Sequence, residues 1–451
     1  MELKAFQQQL FTRGKALGFT DMEVYYQAAR DTVVRAFQGE VDSYTITEKA
    51  GLSFRGVWQG KMGTAFTEQI EEQAIDDLLR QAKENAEILE NVDPEELFAG
   101  SPSYREVNQH SERLLHLSSE QLIETAIRLE RVALQADPRI DLVNYCQVAR
   151  SEGETFISNT KGLDCHHKSA RLLGYVSAVA KEAEQVSSGM EFGMTFVDLD
   201  ALNAEEVARQ AASEALAKLN GDTIESDDYP VILRNHAAAS LLKAFTSIFS
   251  GEAAEKGLSL LQDRIGEQVV GANITILDDP LLPEGPGSMP FDAEGVATAQ
   301  RSLIQDGQLL TFLHNNKTAK KAGVATTGNA VKASYRAAAT IAPHNLIIAP
   351  GEQSLDELIA GTERGLLLVE FQGIHAGTNS VSGDFSLSCL GYLIEQGKVV
   401  RPVNQITASG NILDLLKQVD ALGDDLRFNG FGSGACGSPS LKVKSLSISG
   451  K

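Results

Sequence analysis

Two hydrophobic periods run along the chain, and together they predict a protein of mixed helix and strand. Apolar residues recur at helical spacing in four stretches of the first half, residues 3–17, 69–89, 118–136 and 203–219. Ser118 or Ser119 is placed to cap the third of these helices, because a hydroxyl there can accept hydrogen bonds from exposed amides. The helices therefore alternate with the strands of the first half.

The strands of the first half are indicated by short runs rich in β-branched and aromatic residues. The runs are EVYYQAA, TVVRAFQ, AGLSFRGV and KMGTAFT, and turn residues separate them. The last two are predicted to form a hairpin that turns at Gln59 and Gly60. A longer alternating pattern over residues 139–196 predicts further strands.

The second half is rich in glycine and in strand-like alternation of apolar and polar residues, and one sequence pattern occurs in it twice. SLIQDGQLLTFL (302–313) and YLIEQGKVVRPV (392–403) share an order of apolar and polar positions and predict hairpins turning at Asp306-Gly307 and Gln396-Gly397. The polar run 220–230 interrupts both the helical and the strand periodicity, and it is the best candidate for a linker between two domains. We therefore predict an α+β protein with a mixed domain at 1–220 and a β-rich domain with a curved antiparallel sheet at 221–451.

Composition narrows the classes of partner. The net charge is −21, which repels phosphate backbones, so we expect no nucleic-acid binding. No run of 18 apolar residues is present and the first residues lack an apolar signal core, so we expect neither a membrane span nor a secretory leader. The four cysteines are scattered without a CxxC pair, which is typical of a reducing cytoplasm.

Metal-binding motifs are scarce in the sequence. None of the eight histidines is followed by glutamate, so HExxH is absent. CHHK (165–168) is the one Cys/His cluster, and on a strand only Cys165 and His167 would share a face. Two ligands make a poor metal site, so we predict the end of a strand here and no metal.

The segment FQGIHAGTNSVSGDFSLSCLG (371–391) resembles the parts of a serine hydrolase, since it holds His375, Asp384, Ser382 and Ser386. No GxSxG elbow is present, and a triad built from neighbours on one strand has poor geometry. We therefore predict that this segment forms a β-hairpin with glycines at its turns. GFGSGACGSPS (430–440) could be a phosphate nest but opens no helix, and we predict a flexible connection to a last strand, SLKVKSLSIS.

Several ordered blocks of the second half resemble the TldD/PmbA family, whose members are regarded as metalloproteases and were once labelled modulators of DNA gyrase. The blocks are DDPLLPEGPGSMPFDAEGVATAQRSLIQDGQL, AGVATTGNAV, SGDFSLSCLGYLIEQGKVVRPVNQITASGN and GSPSLKVKSLSISG. The resemblance implies two intertwined α+β domains and a dimer enclosing a cavity that degrades unfolded peptides. It also implies a zinc-bearing subunit, TldD, paired with a partner called TldE or PmbA.

The zinc-bearing branch of that family carries HExxxH on the helix after a strand like YPVIL, and a cysteine ligand near the end of the chain. By this resemblance Leu242, Lys243 and Ser247 stand where His, Glu and His would be, and Cys436 lies close to the cysteine. Leucine cannot bind zinc and a charged lysine cannot act as a general base. The sequence therefore resembles the PmbA/TldE branch, with no zinc or other cofactor expected in this chain.

The resemblance predicts a non-catalytic subunit that supplies cavity wall and peptide contacts to a TldD-type zinc-bearing partner, or to a second copy of itself. His375, Asn379, Ser382 and Asp384 are the candidate substrate contacts, which could act by strand addition. Two alternatives stay open. One is an active peptidase using His375, Asp384 and Cys436, and the other is a protein-binding regulator without proteolysis.

Overall fold

The computed structural model describes residues 1–90, 96–430, 432 and 434–451, and within them the chain is α+β as predicted. The helices are α1 Leu3–Leu17, α2 Glu72–Glu87, α3 Glu112–Leu115, α4 Ser119–Gln135, α5 Ala204–Ala217, α6 Asn235–Ala244, α7 Gly251–Glu255, α8 Asn316–Ala322, α9 Leu355–Ala360, α10 Ile374–Gly377 and α11 Ile412–Lys417. Short 3-10 helices cover Asp200–Leu202 and Thr246–Phe249. None of the helices in the described residues is long and apolar enough to cross a bilayer.

The strands of the first half form one antiparallel sheet in the order β3-β2-β1-β4-β5-β6. They are β1 Met22–Phe37, β2 Glu40–Trp58, β3 Lys61–Thr67, β4 Ile140–Asn159, β5 Asp164–Glu182 and β6 Gln185–Thr195. The prediction of separate strands for EVYYQAA and TVVRAFQ is wrong, because Arg30 and Asp31 between them stay in register with Glu48 and Thr47 on β2. The polar pair does not break the ladder, because Arg30 is exposed and Asp31 is only half-buried.

The strands of the second half form two six-stranded sheets and a two-stranded ladder. They are β7 Asp227–Leu233, β8 Ile276–Asp278, β9 Arg301–Gln305, β10 Gln308–Leu309, β11 Ala330–Val331, β12 Thr340–Ile341, β13 Asn345–Ile348, β14 Arg364–Gln372, β15 Asp384–Glu395, β16 Lys398–Asn411, β17 Val419–Leu422, β18 Arg427–Asn429, β19 Ala435–Ser438 and β20 Leu441–Ser449.

One of these sheets curls back on itself, as the predicted curved sheet requires. Its order is β16-β15-β14-β7-β20-β17, and β16 also pairs with β20. The sheet is antiparallel except where β7 runs parallel to β14. The other six-stranded sheet has the order β10-β9-β8-β13-β19-β18, with β13 and β19 parallel. Both sheets therefore bury their inner faces in one large apolar core.

The three predicted hairpin turns are confirmed in their backbone conformation. Gln59 and Gly60 have φ values of 48° and 81°, and both other turns also have two consecutive residues with positive φ. Two such residues make a type I′ turn, whose twist matches that of the paired strands. The turn chemistry of the sequence was sufficient to place these hairpins.

Two other local predictions are wrong. Residues 371–391 do not form a simple hairpin, because α10 and a loop separate β14 from β15. Residues 435–438 are not a flexible connection, because β19 is a fully buried strand paired with β13 and β18. Positions 431 and 433 of the segment considered as a phosphate nest lie outside the described residues. Glycines that permit close backbone packing produced both errors.

The two halves of the chain pack closely against each other. Lys218 after α5 donates to Glu370 on β14 at 2.7 Å, and Arg427 on β18 pairs with Glu191 on β6. The 332–339 loop, which joins β11 to β12, lies on the face of the first sheet that its helices leave open. The division into domains at 1–220 and 221–451 stays a prediction.

Candidate functional site

The helix that follows β7 is the position where the resemblance places metal chemistry, and a buried polar network fixes its start. The backbone N–H of Asn235 donates to Ser440 Oγ at 3.0 Å, and its side-chain amide donates to the carbonyl oxygen of Asp425 at 2.9 Å. Ser440 in turn donates through Oγ to Asp425 Oδ2 at 2.7 Å. The network anchors α6 on the segment between β17 and β18, and the helix packs against β14, β18 and β19.

Leu242 points into the apolar core. Its side chain is 3% exposed and belongs to the same buried cluster as Phe245 and Ile248. Lys243 and Ser247, the other two positions, are exposed. The three residues therefore do not form one polar surface on which a metal could be held.

Cys436 lies close to Lys243 but is not prepared to bind a metal. It is a fully buried residue of β19, and its Sγ contacts the carbonyl oxygen of Gly434 at 3.7 Å. Burial raises the pKa of the thiol to about 12, although the charge of Lys243 acts in the opposite direction. A metal-binding cysteine must be a thiolate, so this environment opposes ligation.

The side chains present do not fit a zinc site at α6. Among the described residues, no three His, Cys, Asp or Glu side chains are grouped as metal ligands. Cys165 and His167 do not make a site either. Burial is the main factor that lowers the pKa of His167 to about 4, and Cys165 is buried beside Tyr104.

The candidate substrate contacts in the 371–391 segment are mostly occupied by local hydrogen bonds. Asn379 Oδ1 accepts from the backbone N–H groups of Val381 and Ser382 at 3.0 and 3.3 Å. Asp384 Oδ1 accepts from Asn411 Nδ2 at 3.0 Å, and this bond is the main factor that lowers the pKa of Asp384. These side chains shape the loop between α10 and β15.

His375 differs from its neighbours, because it is exposed on α10 and forms no hydrogen bond among the described residues. The carboxylate of Asp384 is bonded to Asn411 and not to His375, so the structure does not assemble a His–Asp pair. Ser386 lies on β15 opposite Ser409 of β16. Of the four candidate contacts, His375 is therefore the one with a free polar side chain.

Sequence reasoning missed the buried carboxylate of Asp278 on β8. Asp278 Oδ1 accepts from the backbone N–H groups of His344 and Asn345, both at 2.8 Å, and Oδ2 accepts from Asn329 Nδ2 at 2.7 Å. Burial raises the pKa of Asp278. Asp278 connects β8 to the start of β13. No local sequence motif identifies this role, because the hydrogen-bond partners of Asp278 are 51 to 67 positions away.

Sequence reasoning also missed two cavities on the open face of the first sheet, one on each side of the 332–339 loop. One has a volume of about 1190 Å³ and is lined by β1, β2, β4 and β5. The other has a volume of about 1040 Å³ and is lined by β2, β3, α8 and residues 96–100. Tyr335 and Arg336 line both cavities. Both volumes are large enough for a peptide or a small organic ligand.

Comparison with known proteins assigns the chain to a family. Three family models match it in order: PmbA/TldA metallopeptidase domain 1 over residues 22–86, the central domain over 112–219 and the C-terminal domain over 226–450. Metalloprotease PmbA of Escherichia coli O157:H7 is 26% identical over 393 residues, which cover 86% of this chain and 84% of that protein. A metalloprotease TldD homolog of Haemophilus influenzae is 26% identical, covering 95% of this chain and 92% of its own length.

Solved structures agree with this assignment. A protein described as a modulator of a DNA gyrase, from Thermotoga maritima, has a TM-score of 0.91 and 33% identity, covering 99% of this chain and 100% of its own. TldE of Thermococcus kodakarensis has the same fold, with a TM-score of 0.91, 24% identity and the same coverage. The chain belongs to the PmbA/TldD family of metallopeptidases.

Proposed function

We propose that this chain is a zinc-less subunit of a PmbA/TldD-type metalloprotease and processes unfolded peptides only together with a zinc-bearing partner. The observation that carries the proposal is the position of Leu242 in the apolar core, with Lys243 and Ser247 exposed beside it. A zinc site for proteolysis needs three protein ligands and an open position for water. Helix α6 provides an aliphatic side chain and an ammonium group instead, and the 3-10 helix Thr246–Phe249 that follows it provides the hydroxyl of Ser247.

The proposed partner is a TldD-type subunit that carries the metal, and a second copy of this chain is the alternative. Relatives with the names PmbA and TldD both match most of this chain, which supports a common fold for the two proposed subunits. An enclosed cavity between subunits requires a large interface, well above roughly 1,000 Å². We therefore expect a heterodimer when the partner is supplied and a homodimer when it is not.

The proposed contribution of this chain is a peptide-contacting wall near α10. His375 is exposed there, and Asn379, Ser382 and Asp384 hold the loop that follows it. A neutral imidazole can donate to or accept from a peptide backbone without doing chemistry. The net charge of −21 supports a role without direct DNA binding, and four unpaired, buried cysteines support a location in a reducing cytoplasm.

The test is a peptidase assay on an unfolded substrate with three samples: this chain, a zinc-bearing family member from the same cell, and both together. The proposal predicts turnover by the mixture and none by this chain. Turnover by the purified chain alone, sensitive to His375→Ala or Asp384→Asn, would support the active-peptidase alternative. Stable binding to a folded protein with no turnover in any sample would support the regulator.

A further inference from the structure

The smaller of the two cavities, here called the basic cleft, lies between the two halves of the chain and away from α6. Its floor is the face of β2 and β3 that carries Ser53, Arg55 and Phe66. Its sides are residues 96–100, α8 and the 332–339 loop. No residue of α6 or of the 371–384 segment lines it. The basic cleft is therefore separate from the region discussed under the proposed function.

The charge of the basic cleft is opposite to that of the whole chain. Among the described residues, two acidic side chains line it, Glu96 and Glu294. Six basic residues of the same described set line it: Arg55, Lys317, Lys320, Lys321, Lys332 and Arg336. On a chain with a net charge of −21, this local excess of positive charge attracts anionic ligands and orients them as they approach.

Most of these cations already have carboxylate partners. The pairs are Arg55 with Glu23 at 2.7 Å, Lys320 with Glu96 at 2.9 Å, Lys321 with Glu255 at 2.9 Å, and Arg336 with Glu68. The three exposed pairs, those of Lys320, Lys321 and Arg336, contribute little to stability and can exchange partners, whereas Glu23 in the remaining pair is buried. Four of the six cations that line the basic cleft are therefore already paired with carboxylates in the free protein.

Two of the six cations, Lys317 and Lys332, form no ion pair with any described residue. Lys317 is exposed, whereas Lys332 is partly buried. Lys332 Nζ lies 4.5 Å from the centroid of the Tyr25 ring and 3.5 Å from Ser53 Oγ. Burial is the main factor that lowers its pKa to about 8, and the nearby Arg55 acts in the same direction, while the charges of Glu23 and Glu294 act in the opposite direction. An ammonium group that has lost water without forming a direct ion pair gains from an incoming anion.

The walls of the basic cleft favour a peptide over a nucleic acid or a small inorganic anion. Phe66 is 49% exposed, and Val324 and residues 337–339 add further apolar surface. A volume of about 1040 Å³ exceeds the needs of a single small anion. Apolar walls with a few cations suit alternating side chains of an extended peptide, whereas a phosphate backbone makes little use of them.

We propose that the basic cleft binds an extended peptide through a carboxylate, with Lys332 as its charged anchor. The carboxylate can belong to an acidic side chain or to the end of a peptide chain. This inference adds a substrate preference to the proposed peptide-binding role, but it requires neither zinc, a partner subunit nor turnover. Failure of the peptidase assay would therefore leave it standing, and its own failure would leave the zinc-less role untouched.

The test is direct binding of fluorescent peptides to the purified chain, measured by anisotropy. Three twelve-residue peptides share one apolar sequence: one with glutamates and a free C-terminus, one with glutamines and a free C-terminus, and one with glutamines and an amidated C-terminus. We expect the glutamate peptide or the free C-terminus to bind roughly tenfold or more tightly than the uncharged peptide, since a hydrogen bond to a charged group contributes about 1.5–3 kcal/mol. Which peptide gains identifies the source of the carboxylate.

Lys332→Met should remove this preference, and Lys332→Arg should keep most of it. Lys256→Met is the matched control, because Lys256 is an exposed lysine of the 251–256 region that pairs with Glu252 outside the basic cleft. Equal binding of all three peptides would overturn the proposal without any variant. An oligonucleotide of equal charge that displaces the glutamate peptide at the same concentration would also overturn it, by showing a general anion site.

Discussion

Replacing Leu242 by histidine tests whether α6 is a metal site that lost a ligand or a helix built for the core. Leu242 is 3% exposed and packs in the cluster that contains Phe245 and Ile248. Removing a buried leucine side chain forfeits about 1.5–3 kcal/mol of apolar burial. The imidazole that replaces it would lie without water or a partner, at a further penalty of about 1–3 kcal/mol. We therefore expect Leu242→His to destabilise the protein by about 2.5–6 kcal/mol.

Ser247→His is the matched control, because it introduces the same side chain at an exposed position of the same region. Exposed substitutions usually change stability by less than about 0.5 kcal/mol. The assay is chemical denaturation of each variant, followed by circular dichroism, together with metal analysis of the triple variant Leu242→His, Lys243→Glu, Ser247→His. A Leu242→His protein as stable as Ser247→His, or a triple variant that binds stoichiometric zinc, would refute the reasoning.

Three further predictions concern the 371–391 segment and the buried carboxylate of Asp292. Gly383→Val should destabilise by roughly 2–5 kcal/mol, because φ is +84° there and a Cβ would lie 2.9 Å from Asn411 Nδ2, and an unchanged denaturation midpoint would contradict this. His375→Ala should leave stability unchanged and slow processing with the zinc-bearing partner roughly two- to twelve-fold, as loss of one neutral hydrogen bond would, whereas loss of all turnover would indicate catalysis. Asp292, whose folded pKa is raised to about 7 mainly by burial, binds its proton more tightly than an unfolded aspartate with a pKa near 4. Its contribution to stability is present below about pH 4 and is lost as pH rises to about 7, by about 4 kcal/mol. Asp292→Asn cannot titrate, so its unfolding free energy measured from pH 5 to 8 should lack this decline, and an identical decline would contradict the assignment.

Regular periodicity and turn chemistry made much of the fold predictable. The helix predicted at 118–136 appears as Ser119–Gln135, and Ser118 accepts from the backbone N–H of Gln121 in a capping box. The Gln59-Gly60 turn was readable because positive φ at two consecutive positions restricts the choice of residues. Such signals depend only on neighbouring residues, so they can be recognised without knowledge of the rest of the chain.

Long-range contacts were not predictable. Lys332 and Tyr25 are about 300 positions apart, yet the lysine, which lines the basic cleft, lies over the ring. Cys436 sits among glycines that indicate a flexible segment, but β19 is buried because β13 and β18 pair with it on both sides. The pattern of one segment does not reveal which distant strand will cover it.

The central claim, that this chain carries no catalytic metal of its own, is tested most directly by elemental analysis. The chain is purified without chelators, incubated with excess zinc, and freed of loose metal by gel filtration before its zinc content is measured. The account predicts well below one zinc per chain, since Leu242 is buried, Lys243 is cationic and burial keeps the Cys436 thiol protonated. One tightly held zinc per chain would contradict it.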